Sequence, residues 1–297
     1  MILRLLTNLS SLLKIKVSLA VSLSALTGYL LGNRNRLSEM AYLSCGVFLL
    51  ACAASAANQY QERKYDSLMN RTRMRPLAAG TMKKSTAVGV TLGMLSLGFG
   101  CLLLINSNHL AVCFLGAAGI LWYNGIYTGL KRRSPFTVVP GALVGAVPPL
   151  MGMSASDIPL WDSRVLIIAL FFMVWQIPHF WLSQYVHHQD YQAAGFPTLS
   201  GILNTVQTKR LFFIWVAATA FSGMTMAVFI PLFPVYKLVI IALSLALIYV
   251  ASFLFKPQLD KKLYKQAALM LNVYAFAFMA VFILNALSAA VLPRLNL

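Results

Sequence analysis

Repeated apolar runs, each about as long as a bilayer is thick, constrain this chain more than any other feature. They lie near residues 15–32, 41–61, 85–105, 109–127, 136–153, 164–185, 211–230, 236–255 and 267–291. A helix needs roughly 20 such residues to cross the hydrocarbon core. Inside lipid, backbone N–H and C=O groups must be satisfied within the protein, which leaves helices or a closed barrel. Barrel strands alternate apolar and polar residues, and these runs do not. The sequence therefore predicts an all-α integral membrane protein of about nine transmembrane helices. With 59% hydrophobic and 10% charged residues among 297, little is left over for a soluble module. Residues 1–297 read as a single polytopic domain.

The net charge of +17 would suggest nucleic acid in a soluble chain. Here its distribution follows the positive-inside effect, so no nucleic-acid partner is expected and the lipid bilayer is. With the N-terminus in the cytoplasm, only Arg34, Arg36, Arg164, Lys237 and Arg294 fall outside, 5 of 24 basic residues, and the other 19 fall inside. That orientation puts the two longest connections, near 62–84 and 186–210, on the cytoplasmic side. The run Val17–Leu31 follows Arg4, Lys14 and Lys16 without a small-residue cleavage site, so it reads as a retained first helix. No Arg/Ser-rich transit segment precedes it, which favours a bacterial inner membrane. Cys45, Cys52, Cys101 and Cys113 sit in apolar runs and read as small buried residues. Gly28 and Gly32, Gly89 and Gly93, and Gly141 and Gly145 have the spacing that lets membrane helices approach closely.

Polar residues concentrate in few places. Asn58-Gln-Tyr-Gln-Glu62-Arg-Lys-Tyr-Asp66 ends the second run, and Arg71-Thr-Arg-Met-Arg75-Pro76 follows. Asn58, Glu62 and Asp66 recur every four residues and share one helix face. Their oxygens suit a hard cation such as Mg²⁺, and Arg71 and Arg75 suit phosphate. Inside a membrane segment, such groups are costly and mark function. A second polar loop carries His187-His188-Gln189-Asp190-Tyr191, where both histidines read as ordinary interfacial residues. A third stretch, Tyr123 to Arg133, joins aromatics to cations. A fourth, Trp175-Gln-Ile-Pro-His179-Phe-Trp181, sets a histidine beside a proline in the sixth run. The bland reading of that imidazole is an interhelical hydrogen bond; imidazole is also a natural axial ligand for haem iron.

The Asn58–Asp66 pattern with Arg71-Thr-x-x-Arg75-Pro resembles the aspartate-rich motif of the UbiA superfamily of intramembrane prenyltransferases. The resemblance implies a helix bundle around a central cavity opening at the cytoplasmic side. It implies Mg²⁺ held by Asn58, Glu62, Asp66 and Asp190 against a prenyl diphosphate, with Arg71, Arg75, Lys131 and Arg132 facing the phosphates. Glu62 stands where many members carry Asp, and Ala194 where many carry a second loop aspartate. Val147-Pro-Pro-Leu-Met-Gly152, Pro178-His179-Phe-Trp and Asp190-Tyr-x-x-Ala-Gly-x-Pro197 resemble, within that superfamily, the branch that farnesylates protoheme IX. The substrates implied are farnesyl diphosphate and protoheme IX (haem B), a substrate rather than a resident cofactor. His179 is the expected haem contact. Tyr123, Tyr127 and Trp175 are candidate walls for the allylic carbocation. Asn58, Asp66, Arg71, Arg75 and His179 are the expected catalytic set. A haem A synthase or oxidase-assembly factor is the expected downstream partner. Two other readings remain at this point: prenyl transfer to a quinone precursor or chlorin, and polytopic transport of an anionic lipid. The last calls for repeated halves with broken helices, a pattern not evident here.

Overall fold

The protein, seen in a computed structural model, is described over residues 2–32, 36–106, 108–255 and 261–295. Arg34 and Lys256 lie outside the described residues, as do the side chains of Arg4, Lys261 and Arg294.

Among the described residues, helices account for the whole framework. α1 (Ile2–Leu13) and α2 (Ile15–Tyr29) open it, followed by α3 (Leu37–Asp66), α4 (Lys84–Leu103) and α5 (His109–Ile120). A π-helical stretch, Leu121–Tyr127, prolongs α5 into the one-turn α6 (Thr128–Leu130). A 3₁₀ turn at Pro135–Thr137, α7 (Val138–Gly141) and α8 (Leu143–Ala155) form the next span. α9 (Ser163–Val186), the short α10 (His188–Ala193), α11 (Thr205–Phe229), α12 (Pro234–Ser252) and α13 (Lys261–Leu295) complete it. Among the described residues, eight helices are long and apolar enough to span a membrane. The bent α1–α2 pair, with 43° between its halves, makes a ninth. Large apolar side chains such as Phe114, Leu166 and Leu238 point outward, as lipid-facing positions do. The chain is a multi-pass membrane protein.

The first span differs from the expectation at 15–32. A separate helix precedes it, and Lys14 joins the two in a left-handed conformation (φ 46°, ψ 53°). For a residue with a Cβ this costs about 1 kcal/mol or more. Buried Gln59 holds the joint, its Nε2 donating to the carbonyls of Ser11 (2.7 Å) and Leu12 (3.0 Å).

The bundle has two helix groups. α2, α3, α4, α5 and α8 pack around Tyr29, Leu43, Leu50, Leu102 and Met151. α9, α11, α12 and α13 pack around Phe171, Trp181, Phe212 and Phe278. α8 links them by touching α2 and α9. The approach of α2 to α8 depends on glycine. A Cβ on Gly28 would strike the Pro149 carbonyl, one on Gly32 the Ser156 side chain, and one on Gly152 the Ala25 carbonyl. Gly141 and Gly145 likewise make room for Tyr127 and Gln176. A Cβ on Gly89 or Gly93 would meet no described atom, so that pair makes no close helix approach among the described residues.

Candidate active site

α3 runs unbroken through Asp66, so Asn58, Glu62 and Asp66 do share one face, only 2%, 6% and 4% exposed. Carboxylates this buried need partners, and each has them. Asn58 Nδ2 donates to Glu62 Oε2 (3.2 Å) and to Thr128 Oγ1 (3.3 Å). Lys131 Nζ stands 2.6 Å from Glu62 Oε1 as an ion pair. Arg75 Nη1 bridges both Asp66 oxygens at 2.9 and 3.0 Å. Thr72 Oγ1 closes the turn onto the Asp66 carbonyl.

The two long loops meet over this face. Asp190 accepts the backbone N–H groups of Asn70 and Arg71, both at 3.2 Å. Its carboxylate therefore pins one loop to the other. Among the described residues no three His, Cys, Asp or Glu side chains converge as a ready-made cage. The donor set nevertheless fits a hard cation by its chemistry: an amide and two carboxylates in line on one face supply oxygens only, the ligand type such an ion takes. His188 is occupied structurally, its Nδ1 lying 3.0 Å from the Tyr185 carbonyl.

Aromatic rings lead inward from the carboxylates. The π-helical stretch widens the backbone between residues 121 and 127, a device common at functional sites. Trp122 Nε1 donates to the Pro140 carbonyl, and Asn124 Nδ2 to that of Ala54, anchoring the stretch on both sides. Tyr123 stacks on Tyr127 at 6.0 Å and Tyr127 on Phe180 at 6.0 Å. Phe180 meets His179 at 5.6 Å, and His179 stacks on Trp175 at 4.8 Å. Lys131 lies 5.8 Å above the Tyr127 ring, and Arg132 lies 4.5 Å above Tyr65. His179 Nδ1 is 2.8 Å from Asn272 Oδ1 on α13.

The structure thus brings Asn58, Glu62, Asp66, Arg75, Lys131, Tyr123 and Tyr127 together and links them through Phe180 to His179 and Trp175. Asp190 reaches the site's rim through the loop backbone. Arg71 is exposed there, and its charge acts on Tyr191. Arg132 rests on Tyr65 rather than on a carboxylate.

Three residues escaped sequence reasoning. Half-buried Lys14 lies within electrostatic reach of Arg75, Lys131, Glu62 and Asp66 and makes no ion pair among the described residues. In the sequence it reads as one more positive-inside charge. Tyr191 lies within reach of Glu62, Asp66, Arg71 and Arg75, and burial pushes its phenol up from the usual value, which keeps it a neutral O–H. Phe180 completes the ring series, a role no spacing rule signals.

A profile of the UbiA prenyltransferase family matches residues 21–282. Among curated relatives, the protoheme IX farnesyltransferase of Oleidesulfovibrio alaskensis is 36% identical over 225 residues, covering 76% of this chain and 77% of that one. That of Flavobacterium psychrophilum is 31% identical over 284 residues, covering 91% and 92%. Among solved structures, a digeranylgeranylglyceryl phosphate synthase superposes with a TM-score of 0.74 at 16% identity, covering 95% and 98%. A UbiA homologue from Archaeoglobus fulgidus bound to GPP and Mg²⁺ superposes with a TM-score of 0.64 at 14% identity, covering 93% and 99%. At such identity the structural matches establish the fold alone.

Proposed function

This chain belongs to the UbiA prenyltransferase family, and from that premise we propose that it transfers the farnesyl group of farnesyl diphosphate to a vinyl group of protoheme IX, with addition of water, yielding haem O and diphosphate. The whole chain acts as one domain. The observation that carries the prenyl-transfer half is the buried Asn58–Glu62–Asp66 face with Arg75 and Lys131 drawn onto it. The names of the curated relatives and the ring series ending at His179 support haem as acceptor.

Residues on this face divide the work by charge. Asn58, Glu62 and Asp66 would hold Mg²⁺, with Asp190 close by at the loop junction. When bound, Mg²⁺ neutralises negative charge developing on the departing diphosphate. Arg75 and Lys131, released from their carboxylates, turn to phosphate oxygens, joined by Arg71, Arg132 and Lys14. The Tyr191 phenol donates a further hydrogen bond. The farnesyl C1–O bond breaks, and its electron pair leaves with the diphosphate. Tyr127 and Phe180, stacked next to Lys131, present π faces to the allylic cation and exclude water that would give farnesol. A haem vinyl carbon bonds to farnesyl C1. The cation that results beside the porphyrin takes up water and loses a proton, leaving the hydroxyethylfarnesyl side chain. His179 contacts the haem, with Trp175 stacked against it.

The excess of Lys and Arg near the long loops supports a cytoplasmic N-terminus and a cytoplasmic site in a bacterial inner membrane. There the diphosphate stays near water while the apolar tail lies in the bilayer. The test is direct: membranes containing the protein are incubated with haem B, farnesyl diphosphate and Mg²⁺. Mass spectrometry should show haem gaining farnesyl plus water. Transfer to a small aromatic acid with haem unchanged would overturn the acceptor and keep the family.

A further inference from the structure

His179 is held in a way that packing alone does not require. α9 and α13 already adhere through the Phe171–Phe278 stack at 3.9 Å. Trp175 adds a bond of its own, Nε1 donating to the Leu271 carbonyl at 3.1 Å. The next residue of α13, Asn272, then places Oδ1 2.8 Å from His179 Nδ1. With the Asn272 carbonyl oxygen facing Nδ1, the contact closes as a hydrogen bond only when Nδ1 carries the proton, which in the neutral ring leaves Nε2 its lone pair. Nε2 makes no hydrogen bond to any described residue. Trp175, stacked at 4.8 Å and 24°, fixes the plane of the ring. One imidazole nitrogen tied by its N–H and the other uncommitted is the arrangement that metal-ligating histidines share.

Resting on the reading of protoheme as acceptor, we infer that Asn272 is a positioning residue: it locks His179 as the Nδ1–H tautomer so that Nε2 ligates the iron of the incoming porphyrin. The choice of amide over carboxylate matters. A carboxylate partner pulls the imidazole toward imidazolate and makes it a stronger iron ligand, as suits a permanent cofactor. A neutral amide orients the ring and leaves the bond weaker, as suits a porphyrin that must depart once modified. Iron ligation also fixes the porphyrin's centre relative to the ring series, and hence the distance from its periphery to the prenyl C1.

The test uses the purified full chain in nanodiscs, titrated with haem B and separately with metal-free protoporphyrin IX. Asn272→Leu should weaken haem binding about 10-fold and abolish the absorbance bands of an imidazole-ligated iron, with metal-free porphyrin affinity unchanged. Asn272→Asp should keep those bands and slow haem release. If Asn272→Leu weakens both porphyrins equally, or keeps the wild-type bands while His179→Ala loses them, the assignment to Asn272 is wrong. Should Asn272→Leu fail to fold, wild-type haem release from Asn272→Asp overturns it by itself. His179→Ala binding haem as the wild type does would sink instead the contact reading on which this rests, so the two failures are distinct.

Discussion

At the residue scale, the site consists of charges that neutralise one another. Asp66 is bound by Arg75, and Glu62 lies against Lys131. Removing one member of a buried, hydrogen-bonded pair leaves the other uncompensated, so substitutions here must be read for folding as well as for chemistry. Asp66→Asn keeps shape and removes charge. Its turnover should fall by about 100-fold or more, by analogy with the loss of one transition-state electrostatic contact, while the protein stays membrane-inserted. Near-wild-type product formation from that variant would remove Asp66 from the metal set. Lys14→Gln should raise KM for farnesyl diphosphate by about 10-fold, the loss of a charge-assisted hydrogen bond worth about 1.5 kcal/mol, and Lys14→Arg should restore most of it. An unchanged KM in Lys14→Gln would mean that Lys14 serves only the helix joint. That Asn58, Glu62 and Asp66 share one face was legible in the sequence, because polar side chains repeated every four residues are costly to keep in an apolar chain unless they bind something; Arg75 was legible only as one of the arginines that follow. Lys14, Tyr191 and Asn272 were not legible. A single polar residue tells nothing until its neighbours from other helices are known.

At the element scale, what matters is where helices deviate from regularity. Runs of apolar residues gave every span after the first to within about six residues, because membrane thickness sets their length. They gave neither the left-handed joint at Lys14 nor the π-helical stretch before α6, since both arise from tertiary clamps: Gln59 on Ser11 and Leu12, Trp122 on Pro140. Gln59→Leu would leave the carbonyl of buried Leu12 and that of Ser11 without this donor. It should cost about 1–3 kcal/mol and let α1 detach, measurable as faster hydrogen exchange at the backbone amides of residues 5–18. Exchange unchanged from wild type would show that the amide does not hold the joint. The glycines sort in the same way. Gly28→Val places side-chain atoms into Pro149, and overpacking of that kind costs about 1–3 kcal/mol, whereas Gly89→Ala meets open space. Equal melting temperatures for the two variants would contradict the α2–α8 approach described above.

At the scale of the whole molecule, the two long loops are tied together. Asp190 joins its loop to the one bearing Arg71 and Arg75, so a ligand bound at the rim would bear on both at once. Mg²⁺ with a non-hydrolysable prenyl diphosphate analogue should raise the melting temperature well beyond the sum of their separate effects. Chelating the metal should stop turnover, and catalysis that persists in EDTA would contradict the ionisation mechanism. Additive melting shifts would show that the carboxylates and the cations respond independently. The overall layout, all-helical with polar chemistry at one end, was legible from hydropathy and charge asymmetry. The division into two helix groups was not, because membrane helices of similar composition carry no address for their neighbours. That division has an evolutionary corollary. Carboxylates and most cations sit on helices of the first group and the loops beside them. His179, Trp175 and Asn272 belong wholly to the second, joined to the first by the row of rings through Tyr127 and Phe180. If the carboxylate face holds the diphosphate and His179 the acceptor, as proposed, the histidine-bearing helices could be remodelled for a different nucleophile without disturbing the carboxylate face.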